Sequence, residues 1–190
     1  MHAHRWILVF AAAGLLAGCG DHSLVLNVDV LSYLDPQQTK ATFGPVPSAP
    51  EGLYSGEQSI VSDAEINLVG GVSSVTEVRN VSISMSAIAC ESTGAGTDTL
   101  RIYMSDTNTD PTLTPPVLEV PIVMTPGVTD TTTVEASGDD RLAQLFSGKN
   151  LRVAITTALR GPVGLGTQSL NGWVRISALD CVLVAGRKGT

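Results

Sequence analysis

The sequence predicts an all-β fold, an antiparallel β-sandwich of about eight or nine short strands with one short helix. Three observations carry this expectation. Apolar and polar residues alternate with period two in several separate segments, the pattern of strands with one buried face. Runs rich in Gly, Pro, Ser, Thr and Asp punctuate those segments. A single stretch shows helical spacing instead.

Residues 23–34 place Leu24, Leu26, Val28 and Val30 on one face and Asn27 and Asp29 on the other, and Asp35-Pro36 ends that strand. Residues 35–58 contain Pro36, Pro45, Pro47 and Pro50 with Gly44, Gly52 and Gly56. Proline supplies no ladder donor, so this stretch reads as a long loop within one domain. The richest strand signal is residues 72–90, where Val81, Ile83, Met85, Ala87 and Ala89 alternate with Ser82, Ser84 and Ser86. A Gly-containing turn at residues 91–96 follows, and Leu100, Ile102 and Met104 resume the alternation against Arg101 and Tyr103. Together these predict an antiparallel hairpin.

Residues 117–124 form a further strand, marked by Pro121 as an edge strand or bulge, and the Thr-rich residues 129–136 another. The helix comes next. Asp139 or Asp140 caps it, Leu142, Leu145 and Phe146 make its buried stripe, and Gly148 ends it. Leu151, Val153 and Ile155 restart a strand that runs to Leu159, residues 160–172 form a Gly-rich loop, and residues 173–184 are the last strand. No internal repeat is visible. An immunoglobulin domain fits poorly, because its core Trp follows the first cysteine of a pair whereas Trp173 just precedes Cys181.

The N-terminus carries a different signal. One fixed charge, Arg5, precedes an uncharged apolar run at residues 6–16, and Leu16-Ala17-Gly18-Cys19 follows. The run is too short to span a bilayer, which takes ~20 apolar residues in a helix. An ordinary signal peptide or a membrane helix are the plainer alternatives. Leu16-Ala17-Gly18-Cys19 resembles the lipobox of bacterial lipoproteins. That resemblance implies a signal peptide at residues 1–18, cleavage before Cys19 and acylation of the Cys19 thiol. Residues 19–22 then form a lipidated tether, and residues 23–190 a single domain. Two or three acyl chains, at ~0.8 kcal/mol per buried methylene, hold a protein firmly on a membrane. Gly20, rather than Asp, follows the modified cysteine, which in a diderm host implies sorting to the outer membrane. Localisation in the cell envelope outside the cytoplasm is the expectation.

Of the 11 Lys and Arg, Arg5 alone lies in the removed segment; against 18 Asp and Glu the mature balance is 10 − 18 = −8. An acidic chain is a poor partner for nucleic acid, whose phosphates call for a basic patch. With Cys19 acylated, Cys90 and Cys181 remain, and in an exported protein a leftover pair reads as a disulfide. Two buried free thiols on neighbouring strands are the other reading.

Catalytic chemistry finds little purchase. A Ser-His-Asp arrangement needs a base beside its nucleophile, and the mature chain has one histidine, His22, on the tether. Zinc lacks ligands for the same reason. Asp106-Thr107-Asn108-Thr109-Asp110 begins like a calcium loop, but Pro111 and Val117 stand where the glycine and the bidentate Glu belong, so it reads as a solvated turn. Gly164-Leu165-Gly166 has no Lys and opens no helix, so it also reads as a turn. Asp139-Asp140 is explained by capping, and Trp173 as a core residue; Tyr54 is the most exposed candidate among six mature aromatics. No catalytic residue, metal or cofactor is expected. The expected role is a non-catalytic structural or protein-interaction module, lipid-anchored to a membrane, with loops at residues 36–57 and 160–172 carrying specificity. The alternative is a glycan- or small-molecule-binding module.

Overall fold

Period-two alternation resolves into two antiparallel sheets packed face to face. The computed structural model describes residues 23–67, 75–89, 95–148, 150–164 and 168–186. In chain order these hold β1 (Ser23–Asp29), β2 (Lys40–Pro47), β3 (Tyr54–Asn67), β4 (Val75–Ala89), β5 (Gly96–Ser105), β6 (Leu118–Met124), β7 (Thr129–Ser137), α1 (Asp140–Ser147), β8 (Asn150–Arg160) and β9 (Ser169–Gly186).

The first sheet has the order β1-β9-β4-β7, with β2 also paired to β9; the second has the order β3-β8-β5-β6. β1 pairs with residues 180–186 of β9 and β2 with residues 169–175, so the two lie end to end along one edge of the same long strand. The layout is therefore four rows on four, and nearly every link after β2 crosses from one sheet to the other. That strand order is a jelly roll, a double-sheet answer to exposed edges.

Alternation decides what is inside. β6 shows the pattern without a break: Leu118, Val120, Ile122 and Met124 are buried, Glu119, Pro121 and Val123 exposed. A single apolar core joins both sheets, with Leu100, Ile102 and Met104 from β5, Leu151, Val153, Ile155 and Leu159 from β8, and Val174, Ile176 and Leu179 from β9. α1 closes one end of the sandwich. Asp139 Oδ1 accepts from Leu142 N at 2.8 Å, and Leu142, Ala143 and Phe146 are buried against β4, β5 and β8.

Three expectations need correction. The long loop at residues 35–58 contains a strand, β2, and the start of another, β3. β2 is an edge strand, where a missing N–H is tolerated. Its register with β9 shifts between Phe43 and Val46, and Gly44, at φ 120°, takes up that irregularity ahead of a cis peptide bond to Pro45. The strand at residues 23–34 stops at Asp29. Residues Leu31–Tyr33 and Pro36–Thr39 are 3₁₀ turns, the second capped by the Asp35 side chain. β4 and β5 are not a hairpin either. They belong to different sheets, β4 between β9 and β7, and β5 between β8 and β6; the hairpin pairs β5 with β6.

Of the expected Cys90–Cys181 pair, Cys181 is a buried free thiol on β9. Cys90 lies outside the described residues, but its neighbour Ala89 pairs with Gly172 while Cys181 pairs with Val81.

The registers also define two poles. At one, β2 ends, β3 begins, β5 begins, β6 ends, β8 ends and β9 begins. At the other lie the start of β1, the end of β9, α1 and the β5–β6 connection at residues 106–117.

Candidate functional site

Two connections meet at the pole where β9 begins. Ala49 N donates to Pro162 O at 3.1 Å, Gly164 N to Ala49 O at 2.8 Å, and Gly161 N to Leu53 O at 2.8 Å. These bonds, with a parallel bridge between Ala49 and Val163, tie the β2–β3 link to the β8–β9 link. Arg160, the last residue of β8, reaches across and donates from Nε to the Glu51 carbonyl at 3.0 Å, and from Nη2 to the same oxygen.

The join frames an open cleft of about 650 Å³, whose lining includes Glu51, Gly96, Thr97, Val123, Arg160 and Val163. Close backbone approach shapes its floor. A Cβ on Gly96 would stand 2.7 Å from the Arg160 carbonyl, and one on Gly161 2.6 Å from the Pro47 carbonyl. Of the lining residues, Val163 is 72% exposed and Val123 64%, and Leu53 and Tyr54, which follow Glu51 and Gly52 in the chain, are 45% and 58% exposed. Tyr54 pairs with Arg160 in the β3–β8 register, while the Arg160 guanidinium itself is bonded to the Glu51 carbonyl. Apolar lining with few convergent polar groups is the usual make-up of a ligand site. Residues 36–57 and 160–172 were the loops expected to carry specificity. Their described ends come together here.

The outer face of the second sheet is polar and closely bonded. Arg101 Nη1 meets Glu57 Oε1 at 3.3 Å, and Arg101 Nη2 meets Glu119 Oε1 at 3.0 Å. Tyr103 donates to the Glu57 carboxylate at 3.1 Å, and Thr156 Oγ1 also donates to it. The Thr156 hydroxyl above all, with Tyr103 and Arg101 adding to it, holds the Glu57 carboxyl below its ordinary value despite partial burial. Farther along, Arg152 grips Asp63 and donates to the Thr109 carbonyl at 3.2 Å, and Asn150 donates to Glu65 at 2.8 Å. Each of these carboxylates already has a donor.

A carboxyl raised well above its ordinary value lies elsewhere. Asp98 on β5 is fully buried, and loss of solvent raises its carboxyl to about 6 against hydrogen bonds from Thr157, Thr99 and Ala158. The sequence carried a sign of it, since Asp98 shares the inward phase of Leu100, Ile102 and Met104.

The remaining residues singled out by sequence fall as follows. Leu16, Ala17, Gly18, Cys19 and His22 lie outside the described residues, as do Leu165 and Gly166; Gly164 is in a turn. Asp106 accepts from Asn108 N at 2.9 Å, and Asp110 from Thr112 N at 2.9 Å, so both carboxylates are turned onto their own loop. Among the described residues, no group of three or more His, Cys, Asp or Glu stands close enough together to hold a metal ion. Trp173 corrects the core reading. It is only half-buried, between the buried Gly172 and Val174, and Lys40 Nζ lies 4.7 Å from its ring centroid.

No family model matches the chain. No curated protein matches it either. Among solved structures, an infectious bursal disease virus chain (Gx strain) is 12% identical, with a TM-score of 0.43, over 97% of this chain and 43% of that one. The chain spans less than half the length of the infectious bursal disease virus chains it resembles. The CBM22-1 xylan-binding domain of Paenibacillus barcinonensis Xyn10C is 11% identical, with a TM-score of 0.32, over 92% of this chain and 100% of that domain. The CBM35 of Paenibacillus barcinonensis reaches 14% identity and a TM-score of 0.24, covering 80% and 98%. Likenesses at these scores carry no argument about ligand or partner.

Proposed function

We propose that the mature chain is a lipid-anchored, non-catalytic interaction module of a bacterial cell envelope, held by acyl chains on Cys19 and binding through the cleft between residues 47–54 and 160–164. The cleft carries the reading. It is open, mainly apolar at its rim, and built from hydrogen-bonded connections rather than loose loops. Arg160 lines the cleft and Tyr54 is its register partner, and Tyr and Arg are among the residue types enriched at the centres of protein interfaces, which favours a protein partner seating an apolar side chain between Val123 and Val163.

A photo-crosslinking residue at Val163 in intact cells tests this. The expected outcome is one dominant captured protein, lost when Val123 is changed to Asp. Recovery of nothing beyond abundant neighbouring lipoproteins overturns it. The anchor is tested by feeding cells a clickable palmitate analogue, with label expected on the wild-type chain and absent from Cys19→Ser.

A second reading, a glycan- or small-molecule-binding module, is favoured by Tyr54, an exposed aromatic whose register partner, Arg160, lines the cleft. A screen of immobilised glycans with the purified acylated protein in detergent separates the two. A glycan that competes with the crosslinked protein reverses their order.

A further inference from the structure

β9 is long enough to set the geometry of the whole molecule. The cleft sits where β9 begins, since a Cβ on the lining residue Gly96 would stand 2.5 Å from Leu170 Cδ2. At its other end, Gly186 pairs with Ser23, the first residue of β1. The run from Leu170 to Gly186 measures roughly 50 Å at strand rise. Ser23 follows Cys19 by four residues, a span of at most ~14 Å.

The pole that bears Ser23 also carries an exposed apolar side chain. Leu113, in the 3₁₀ turn Pro111–Leu113 of the β5–β6 connection, is 80% exposed. The loop that presents it is held firmly. Asp110 caps the turn, Thr114 Oγ1 donates to Pro111 O at 2.7 Å, Arg141 to Pro115 O at 3.2 Å, and Arg152 to Thr109 O at 3.2 Å. The nearby carboxylates of Asp106, Asp110 and Asp139 are turned onto backbone N–H groups, which lowers their cost beside uncharged lipid headgroups.

We propose that this pole rests against the bilayer that receives the Cys19 acyl chains, with Leu113 in the interfacial layer, and that the cleft is displayed on the far side. The proposal rests on acylation of Cys19. The occupant of the Leu113 face is the anchoring membrane itself, and whatever enters the cleft comes from beyond that leaflet rather than from its headgroups.

Tryptophan depth tests it. Leu113→Trp and Val163→Trp are made singly in the full acylated protein, with Trp173 as a common background, and reconstituted in phosphatidylcholine vesicles with or without brominated acyl chains. Brominated chains are expected to quench the added tryptophan at 113 and to leave the one at 163 no more quenched than wild type. Quenching at 163, or none at 113, in protein shown by mass to be acylated overturns the orientation and leaves the anchor standing. Protein that carries no acyl mass and stays out of the detergent phase overturns both.

Discussion

Thr157 Oγ1 stands within hydrogen-bonding distance of both carboxylate oxygens of Asp98, and the two side chains meet in the interior of the sandwich on neighbouring strands β8 and β5. Ala158 N donates to the same carboxylate at 3.1 Å. One hydroxyl has one proton, so it satisfies one oxygen at a time. Loss of solvent nevertheless raises the Asp98 carboxyl to about 6, against the pull of these hydrogen bonds.

That burial makes stability depend on pH. The folded carboxyl titrates above its ordinary value of 3.8, so the native state holds a proton that the unfolded chain has released. Stability from this group is greatest below pH ~4 and falls as pH rises through ~6, after which the loss is complete. A rise from 3.8 to about 6 corresponds to about 3 kcal/mol. Asp98→Asn removes the ionisation and keeps an acceptor and a donor. Urea unfolding at pH 7.5 is expected to show a gain of about 1–3 kcal/mol, and at pH 4 almost none. An equal effect at both values defeats the assignment.

The Cys181 thiol is buried on β9, and loss of solvent, with the Asp180 charge beside it, pushes it up to about 12. The thiolate is the reactive form. Iodoacetamide is therefore expected to leave Cys181 unmodified in the native protein at pH 8 and to alkylate it in denaturant without reductant. Peptide mass spectrometry reads both states, and a Cys90–Cys181 bridged peptide would contradict a free Cys181 thiol.

Asp139→Ala removes the acceptor for Leu142 N and is expected to cost about 1 kcal/mol. Asp140→Ala leaves that bond in place and is expected to cost less. Paired denaturation curves decide which aspartate caps α1.

Gly96→Ala drives a Cβ to 2.7 Å from the Arg160 carbonyl and 2.5 Å from Leu170 Cδ2. Leu170 has room only by moving in the core, and the carbonyl belongs to the β8 ladder. A loss of about 1–3 kcal/mol is expected. Gly127→Ala meets nothing within 4 Å and is expected to cost only the left-handed backbone term, about 1–2 kcal/mol. Thermal unfolding of the two variants, with crosslinking from Val163 as a second readout, checks both stability and the shape of the cleft.

Local chemistry alone determined much of this protein. Alternation in residues 81–89, 100–104, 118–124 and 151–155 names strands, and Asp139 with Leu142 and Phe146 names a capped helix, because both signals reside in neighbours along the chain. Sandwich architecture follows from counting such strands. β2 was hidden, because Gly44, Pro45 and Pro47 read as loop until an edge position beside β9 makes them tolerable. The sheet to which β4 and β5 each belong was hidden too, since a turn between two alternating runs is the same in a hairpin and in a crossover between sheets. Cysteine parity likewise says nothing about burial, and only the fold places Cys181 as a free thiol inside β9. The cleft joins Ala49 to Val163 and Glu51 to Arg160, residues more than a hundred positions apart. Contacts at that separation follow from how whole strands are ordered, so only the tertiary structure decided them.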